Sequence, residues 1–181
     1  AGGVWAATLA DQDSGIAGAI GTLRGPLHGG ANEAAMEMIQ DWRTPEEAET
    51  MIMKMLDSKE KIMGFGHAIY RESDPRNALI KKWAKLLSED VNDTHLYAVS
   101  ERVESVMKRE KGLFCNADFF HASAYHFMDI PTKLFTPIFV MSRLTGWAAH
   151  IYEQRVNNRI IRPSADYTGP ESQTWVPIEK R

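Results

Sequence analysis

The chain has 181 residues, of which 44% are hydrophobic and 25% are charged, the balance of a globular domain with a sizeable core. Its formal net charge of −3 argues against electrostatic capture of nucleic acid or of a membrane surface. The lone cysteine, Cys115, excludes an internal disulfide framework and fits a reducing compartment. No apolar run reaches the roughly 20 residues that span a bilayer, and the amino terminus lacks a signal-peptide pattern, so we expect a soluble, cytoplasmic protein.

Two glycine-rich turns divide the predicted helices of the first half of the chain. Residues 14–23 and 32–42 have weak helical patterns, and the turn GPLHGG at residues 25–30 separates them. The second turn, GFGH at residues 64–67, follows the next predicted helix. Because glycine adds no side-chain bulk, both turns would let a ligand approach the backbone closely.

Three helix starts are marked by proline. Thr44 and Pro45 supply an N-cap and a proline at the first helical position, and Glu47 completes a capping box. The pair Asp-Pro at residues 74–75 and the pair Thr-Pro at residues 136–137 repeat this pattern. Apolar residues follow each pair at helical spacing, so we predict a helix from each.

The remaining patterns complete the prediction of an all-α fold. Weaker helical patterns cover residues 94–109 and 117–128, and the helix after residue 136 runs to about Tyr152. From Asn157 onward the pattern breaks into an extended tail whose apolar residues lack a helix of their own. Neither sustained period-two alternation nor a hairpin turn is found in the sequence, so strands are not expected.

The histidines of the two glycine turns are the strongest candidates for chemistry. His28 lies between Pro26 and Gly29, and His67 follows the turn residues 64–66. Histidine donates or accepts a proton near neutral pH. The alternative is that each histidine only satisfies a turn carbonyl, and spacing alone favours neither interpretation.

Three arginines and one aspartate are further candidates. Arg76 in the first turn of its predicted helix, Arg143 on a helix face and Arg162 beside a proline would together hold a small di- or tricarboxylate. Taken singly, each is more often a surface ion-pair partner.

Asp118 stands early in a predicted helix beside two phenylalanines, which would desolvate it and raise its basicity. Complementing the helix dipole is the commoner role for such a residue.

The other histidines form no recognisable metal motif. The sequence contains neither His-Glu-x-x-His nor paired cysteines, so we expect no zinc site. The turn at residues 64–66 is too short for a dinucleotide fingerprint, and no nucleophile elbow is present.

In combination, these pieces resemble the citrate synthase family over nearly the whole chain. The resemblance rests on five motifs in the family's order: GPLHGGANE at 25–33, GFGHAIYR at 64–71 leading to DPR at 74–76, NAD at 116–118, Ser142-Arg143 and Arg162-Pro163. The ordered set is far more specific than any single motif.

The resemblance implies a role for each candidate. Asp118 would remove the α-proton of an acyl-CoA, while neutral His28 would hydrogen-bond the thioester oxygen and stabilise the enol. His67 would polarise the keto carbonyl of oxaloacetate and protonate the alkoxide. The three arginines would hold the carboxylates, with Arg162 reaching the other subunit's site. No metal or redox cofactor would be required.

The resemblance also implies where CoA binds. The family's CoA site includes backbone around the signature loop, here Gly64, Phe65 and Gly66. Basic residues before the aspartate motif also contribute, so Arg109 and Lys111 are candidates. Ordinary solvated charge is an equally good interpretation of both.

A homodimer with two domains per subunit is the implied architecture. Residues 1–44 would form part of a large domain, residues 45–143 mainly a small, mobile domain, and residues 144–181 would return to the large domain and end in a tail that packs on the neighbouring subunit. Family members are about twice as long, and their amino-terminal half supplies another substrate-binding histidine. We therefore expect the active site of these 181 residues to be incomplete.

The substrate preference is the least specific part of the prediction. Residues 29–33 and 159–170 look more like the short bacterial enzymes of the family, which include 2-methylcitrate synthases. This favours condensation of propionyl-CoA with oxaloacetate, and the first alternative is citrate synthase using acetyl-CoA. A citryl-CoA lyase-type domain and an inactive helical interaction fragment are more distant alternatives.

Overall fold

The computed structural model describes residues 2–25, 27–172 and 174–181. Pro26, part of the predicted first turn, lies outside them. The described residues form eight α-helices with the bounds α1 Gly2–Ala7, α2 Gln12–Leu23, α3 Ala31–Ile39, α4 Pro45–Asp57, α5 Asn77–Asp90, α6 Thr94–Lys111, α7 Ala117–Phe127 and α8 Phe135–Val156. Single 3-10 turns cover Thr132–Leu134 and Ile178–Lys180.

The prediction of an all-α fold is confirmed. Within the described ranges no β-strand forms, and one isolated antiparallel bridge joins Phe65 to Cys115. None of the described helices is both long and apolar enough to cross a membrane.

Helix α4 begins as its cap predicts. Thr44 has extended backbone geometry, and its hydroxyl oxygen accepts a hydrogen bond from the N–H of Glu47 at 3.1 Å. The Glu47 carboxylate accepts one from the N–H of Arg43 at 2.8 Å. Pro45 occupies the first helical position, where a missing N–H costs nothing. The cap is therefore confirmed, except that Glu47 accepts from the N–H of the residue before the N-cap and not from that of the N-cap itself.

Helix α5 does not begin at the predicted aspartate–proline pair. Its first residue is Asn77, and Arg76 occupies the N-cap position without a capping hydrogen bond from its side chain. The carboxylate of Asp74 is fully buried and binds the Arg76 side chain. The prediction that Asp74 caps this helix, with Arg76 in its first turn, is wrong: the helix begins after Arg76, and the Asp74 carboxylate binds the N–H and the side chain of Arg76 and the start of α7 instead.

Helix α8 and the tail agree more closely with the prediction. The helix begins at Phe135, one residue before the Thr-Pro pair, and continues to Val156. The Thr136 hydroxyl donates to the Glu33 carboxylate at 2.7 Å, which ties α8 to α3. The tail's large apolar side chains with the greatest exposure are Ile160, Tyr167, Trp175 and Ile178.

The helices pack in two groups. Helices α3 to α7 surround a hydrophobic core whose largest fully buried side chains are Phe119, Phe120 and Phe135. Helices α1, α2 and α8 pack against one another. Burial of large apolar side chains is the main favourable contribution to folding. Helices α3 to α7 therefore form a stable core that supports the loops between them. The domain boundaries at residues 45 and 143 stay predictions.

Candidate active site

One cavity brings together most of the residues that the sequence predicted. Its volume is about 510 Å³, within the range of small-molecule sites. Its walls come from the turn before α3, the loop before α5, the start of α7 and one side of α8. The predicted residues that line it are His28, Gly64, Phe65, Gly66, His67, Arg76, Asp118 and Arg143. Four segments far apart in the sequence therefore share one space.

His28 is presented by a turn whose backbone is internally hydrogen-bonded. Its N–H donates to the carbonyl of Gly25 at 3.2 Å, and its carbonyl accepts from the N–H of Ala31 at 3.0 Å. The imidazole is exposed and meets the Phe139 ring edge-on, with 6.1 Å between ring centroids. The backbone of His28 is thus fixed while its ring nitrogens remain accessible to a ligand.

Backbone amides determine the tautomer of His67. Its Nδ1 accepts hydrogen bonds from the N–H groups of Ile69 and Tyr70, at 3.0 and 3.2 Å. Because a backbone N–H can only donate, Nδ1 carries no proton, and the neutral ring carries its proton on Nε2. The Tyr70 ring packs against the imidazole, with 4.5 Å between centroids. His67 therefore has one oriented donor, Nε2–H, on a side chain that lines the cavity.

The loop before His67 needs glycine at its first position. Gly64 has a φ of +86°, and a Cβ there would lie 2.7 Å from the Cβ of Phe119. Its carbonyl accepts from the N–H of Asn116 at 3.0 Å, and the Asn116 side-chain amide donates to the carbonyl of Gly66 at 3.0 Å. The loop therefore lies directly against the start of α7.

Asp118 lies in the first turn of α7 and is half-buried in the cavity wall. Asn116 caps the helix, because its side-chain oxygen accepts from the N–H of Asp118 at 3.0 Å. Burial raises the pKa of Asp118 above its usual value, which outweighs the opposing effect of the positive side chains nearby, chiefly Arg76. The ionised carboxylate is therefore a stronger base than that of a free aspartate.

Asp74 is a site residue whose role the sequence did not reveal. Its buried carboxylate accepts from the N–H, Nε and Nη2 of Arg76, at 3.0, 2.9 and 2.7 Å. It also accepts from the N–H of Ala117, the first residue of α7, at 3.0 Å. Hydrogen bonding from Arg76 holds the pKa of Asp74 below its usual range. The Asp-Pro-Arg motif was visible in the sequence, but a helix cap explained it equally well.

Arg143 reaches the cavity from α8. Its guanidinium carbon lies 4.6 Å from the centroid of the Phe139 ring, one helical turn earlier, a cation–π contact. The side chain is otherwise exposed. With Arg76, it gives the cavity two guanidinium groups, which suits a ligand that carries two carboxylates.

Three predicted binding residues lie away from this cavity. Arg162 is exposed on the tail, and Lys111 is exposed at the last position of α6. Arg109 pairs with Glu49 at 2.8 Å and with Glu110 at 2.6 Å. None of the three is among the residues that line the cavity. Their roles toward CoA or toward the other subunit's site stay predictions.

Lys61 lines the cavity although no sequence signal singled it out. It is exposed and stands three residues before Gly64. In the sequence it belongs to the charged stretch KEK at residues 59–61, which has the pattern of a solvated loop. The structure thus adds a third cationic side chain to the cavity.

The described residues form an all-helical protein with one cavity that combines acid–base side chains with cationic ones. The site combines a carboxyl of raised pKa on Asp118, an oriented imidazole donor on His67 and two guanidinium groups. In the described part of the chain, no three His, Cys, Asp or Glu side chains are grouped to hold a metal ion.

Known proteins with similar sequences and structures identify the family. The profile of the citrate synthase C-terminal domain matches residues 1–164. The chain is 65% identical to a 2-methylcitrate synthase of Shewanella oneidensis and 52% identical to citrate synthase 2 of Bacillus subtilis, over 178 residues that cover 98% of this chain and 48% of each relative. Citrate synthase of Thermoplasma acidophilum, solved with carboxymethyl coenzyme A and oxaloacetate, matches with a TM-score of 0.86 and 36% identity, over 100% of this chain and 50% of that one.

The chain therefore belongs to the citrate synthase family, and the resemblance found in its motifs is confirmed. It spans about half the length of the curated relatives it matches. Those relatives bear both enzyme names, so family membership alone does not separate citrate synthase from 2-methylcitrate synthase.

Proposed function

We propose that the protein condenses an acyl-CoA with oxaloacetate and hydrolyses the thioester, with propionyl-CoA favoured and 2-methylcitrate and CoA as products. The observation that carries this proposal is the convergence of Asp118, His28 and His67 on one cavity. A base, an enol stabiliser and a carbonyl acid must act on one reacting pair, so they have to face one space. Membership of the citrate synthase family supports the same reaction class.

Asp118 and His28 would act together in the first step. Asp118 takes a proton from the carbon next to the thioester carbonyl, and the electron pair moves onto the thioester oxygen. A carboxylate alone is far too weak a base for this proton, so the oxygen needs a hydrogen-bond donor, here neutral His28, at the same moment. Such acid–base assistance typically contributes ~10²–10⁴-fold, and the raised pKa of Asp118 increases its share.

His67 would act in the second step. The enol carbon attacks the keto carbon of oxaloacetate, and the carbonyl electron pair becomes an alkoxide that takes the proton of Nε2. The hydrogen bonds that Nδ1 accepts from Ile69 and Tyr70 support this role, because they leave the proton on Nε2. Water then cleaves the thioester, which releases CoA and the free tricarboxylate.

The cationic side chains would select the keto acid and hold CoA. Arg76 and Arg143 would bind the carboxylates of oxaloacetate, joined by Arg162 of the partner subunit in a homodimer. Residues 64–66 and the Lys61 ammonium line the cavity and would contact the CoA moiety. Because His28 and His67 would polarise the two carbonyls, the proposed reaction needs neither a metal nor a redox cofactor, and we expect it in the cytoplasm.

Identity to relatives supports propionyl-CoA over acetyl-CoA. The chain is more similar to the Shewanella 2-methylcitrate synthase than to citrate synthase 2 of Bacillus, at 65% against 52% identity over equal lengths. One methylene group is worth only ~1–3 kcal/mol in an apolar pocket. We therefore expect both thioesters to be used, with propionyl-CoA preferred, and citrate synthase is the alternative.

The proposal is tested with the complete gene product. CoA release and the tricarboxylate formed are measured with oxaloacetate and either thioester, beside an Asp118→Asn variant as the inactive control. We expect 2-methylcitrate from propionyl-CoA and a higher kcat/KM for propionyl-CoA than for acetyl-CoA. A ratio that favours acetyl-CoA would change the assignment to citrate synthase. CoA release from neither thioester would refute the proposed reaction.

A further inference from the structure

Asp74 connects the two halves of the site without lining the reaction cavity itself. We propose that Asp74 is a positioning residue: its buried carboxylate holds the Arg76 guanidinium and the first N–H of α7 in one fixed arrangement. It thereby sets the position of Arg76, the proposed oxaloacetate ligand, relative to the proposed base Asp118. This inference rests on the function proposed above. Three observations carry it, namely the donors left on Arg76, the contact with the helix start and the local balance of charge.

The ion pair orients Arg76 and still leaves donors for a substrate. A guanidinium has five N–H groups in a planar fork, and Asp74 takes one on Nε and one on Nη2. Three N–H groups therefore remain. The Asp74 side chain has 0% of its surface exposed, whereas that of Arg76 has 48%. The carboxylate thus lies on the closed side of the guanidinium, while Arg76 contributes to the cavity wall.

The same carboxylate fixes the start of α7. The first N–H groups of a helix have no partner within the helix, and Asp74 accepts from that of Ala117 at 3.0 Å. The next residue along α7 is Asp118, whose N–H is capped by Asn116. The buried Asp74 carboxylate therefore joins the loop that carries Arg76 to the helix that carries Asp118.

Asp74 also supplies negative charge where positive charge accumulates. A helix start carries partial positive charge, and the guanidinium groups of Arg76 and Arg143 add to it near Asp118. Burial raises the pKa of Asp118; the two guanidinium groups oppose this rise, and Asp74 adds to it. The charged or titratable groups around Asp74 and Asp118 include His28 before α3, four residues of the loop before α5, Arg143 on α8, and His121 and Tyr125 on α7; the four loop residues are Lys61, His67, Tyr70 and Arg76.

The test compares Asp74→Asn with Asp90→Asn in the complete gene product. The first variant keeps the shape but removes the charge, and the second removes an exposed charge at the end of α5. For Asp74→Asn we expect the KM for oxaloacetate to rise about 10-fold. We also expect the acidic limb of kcat/KM for the acyl-CoA to move about 1 pH unit lower, because Asp118 loses a negative neighbour. Asp90→Asn should match the wild type in both measurements.

A second variant separates charge from geometry. Asp74→Glu keeps the negative charge but misplaces the carboxylate, so the acidic limb should stay near that of the wild type while the KM for oxaloacetate still rises. This variant also carries the test if Asp74→Asn fails to fold by circular dichroism.

Two results overturn the role of Asp74. One is a folded Asp74→Asn with wild-type KM for oxaloacetate and an unmoved acidic limb, and the other is Asp74→Glu with a wild-type KM. Either would leave the condensation reaction in place. A wild-type protein that releases no CoA would instead refute the proposed function.

Discussion

Helices α7 and α8 both bring side chains to the cavity, but the chain supports them very differently. In α7, seven of 11 residues are buried, among them Phe119 and Phe120. In α8, two of 22 residues are buried, Phe135 and Ile151. The large apolar side chains that α8 leaves exposed are Met141, Leu144, Tyr152 and Val156, at 64, 42, 60 and 79%.

The difference indicates how the two ends of the site are organised. Asp118 projects from a helix whose position is set by the core, the capping Asn116 and the buried Asp74. Arg143 projects from a helix that presents apolar surface outward, and such surface normally marks contact with other protein. We therefore expect the α7 end to be preorganised by this chain alone, and the α8 end to depend more on assembly, in agreement with the proposed homodimer.

The largest effect is expected at the α7 end, for Asp118→Asn. Loss of the base should lower kcat about 10³-fold. The thermal midpoint should stay constant or rise, because a half-buried carboxyl that resists ionisation is replaced by a neutral group. Steady-state kinetics and thermal denaturation measure the two effects. Retention of more than a tenth of the wild-type kcat would contradict the assigned role.

A smaller effect is expected at the α8 end, for Arg143→Leu. The KM for oxaloacetate should rise about 10²-fold because a charged, two-pronged donor is lost. The preference between propionyl-CoA and acetyl-CoA should hardly change, since this guanidinium is assigned to a carboxylate of oxaloacetate and not to the acyl chain. Arg155→Leu, in the last turn of the same helix, is the matched control. A wild-type KM for oxaloacetate in Arg143→Leu would show that Arg143 does not bind a carboxylate of oxaloacetate.

Stability should respond to a methyl group at the loop packed on α7. Gly64→Ala combines a positive φ with a Cβ 2.7 Å from Phe119, so we expect a loss of about 2–4 kcal/mol. Gly66→Ala shares the positive φ, but its nearest neighbour would lie 3.9 Å away, so about 1–2 kcal/mol is expected. Chemical denaturation measures the free energy of unfolding of both variants. Equal losses would mean that packing against α7 is not tight.

The smallest effect is expected for a methyl group on α8. Gly146 lies within this helix, and nothing lies within 4 Å of a Cβ built there. Replacement by alanine removes the conformational cost of glycine in a helix, so Gly146→Ala should stabilise the protein by about 0.5–1 kcal/mol. A clear loss of stability would show that this side of α8 is closely covered, contrary to the comparison with α7.

Local sequence signals were sufficient for the fold class and for several helix starts. Thr44 and Pro45 act within one turn of the chain, so their effect could be predicted without tertiary structure. Asp74 has the same type of signal, but its side chain is bound by Arg76 and by Ala117, more than 40 residues away. A contact of that kind overrides the local preference and is not visible in the pattern.

In the site, too, some residues could be predicted from local sequence signals and others could not. Glycine turns and the family motifs pointed to His28, His67 and Asp118. Tertiary packing brings them to one cavity: α3 packs on α7 and α8, and the loop before His67 is hydrogen-bonded to the start of α7. Lys61 had no signal, because a lysine in a charged loop has the same pattern whether or not it lines a cavity. Arg162 stands on an exposed tail, and its role toward a second subunit stays a prediction.

A crystal structure of the complete gene product would show whether this cavity holds both substrates. The crystals would contain oxaloacetate and a stable thioether analogue of propionyl-CoA. We predict the keto oxygen within ~2.7–3.2 Å of Nε2 of His67, the carboxylates at Arg76 and Arg143, and the reacting carbon beside Asp118. Oxaloacetate bound outside the cavity, or a keto oxygen turned away from His67 with Asp118 remote from the thioether, would rule out this cavity as the active site.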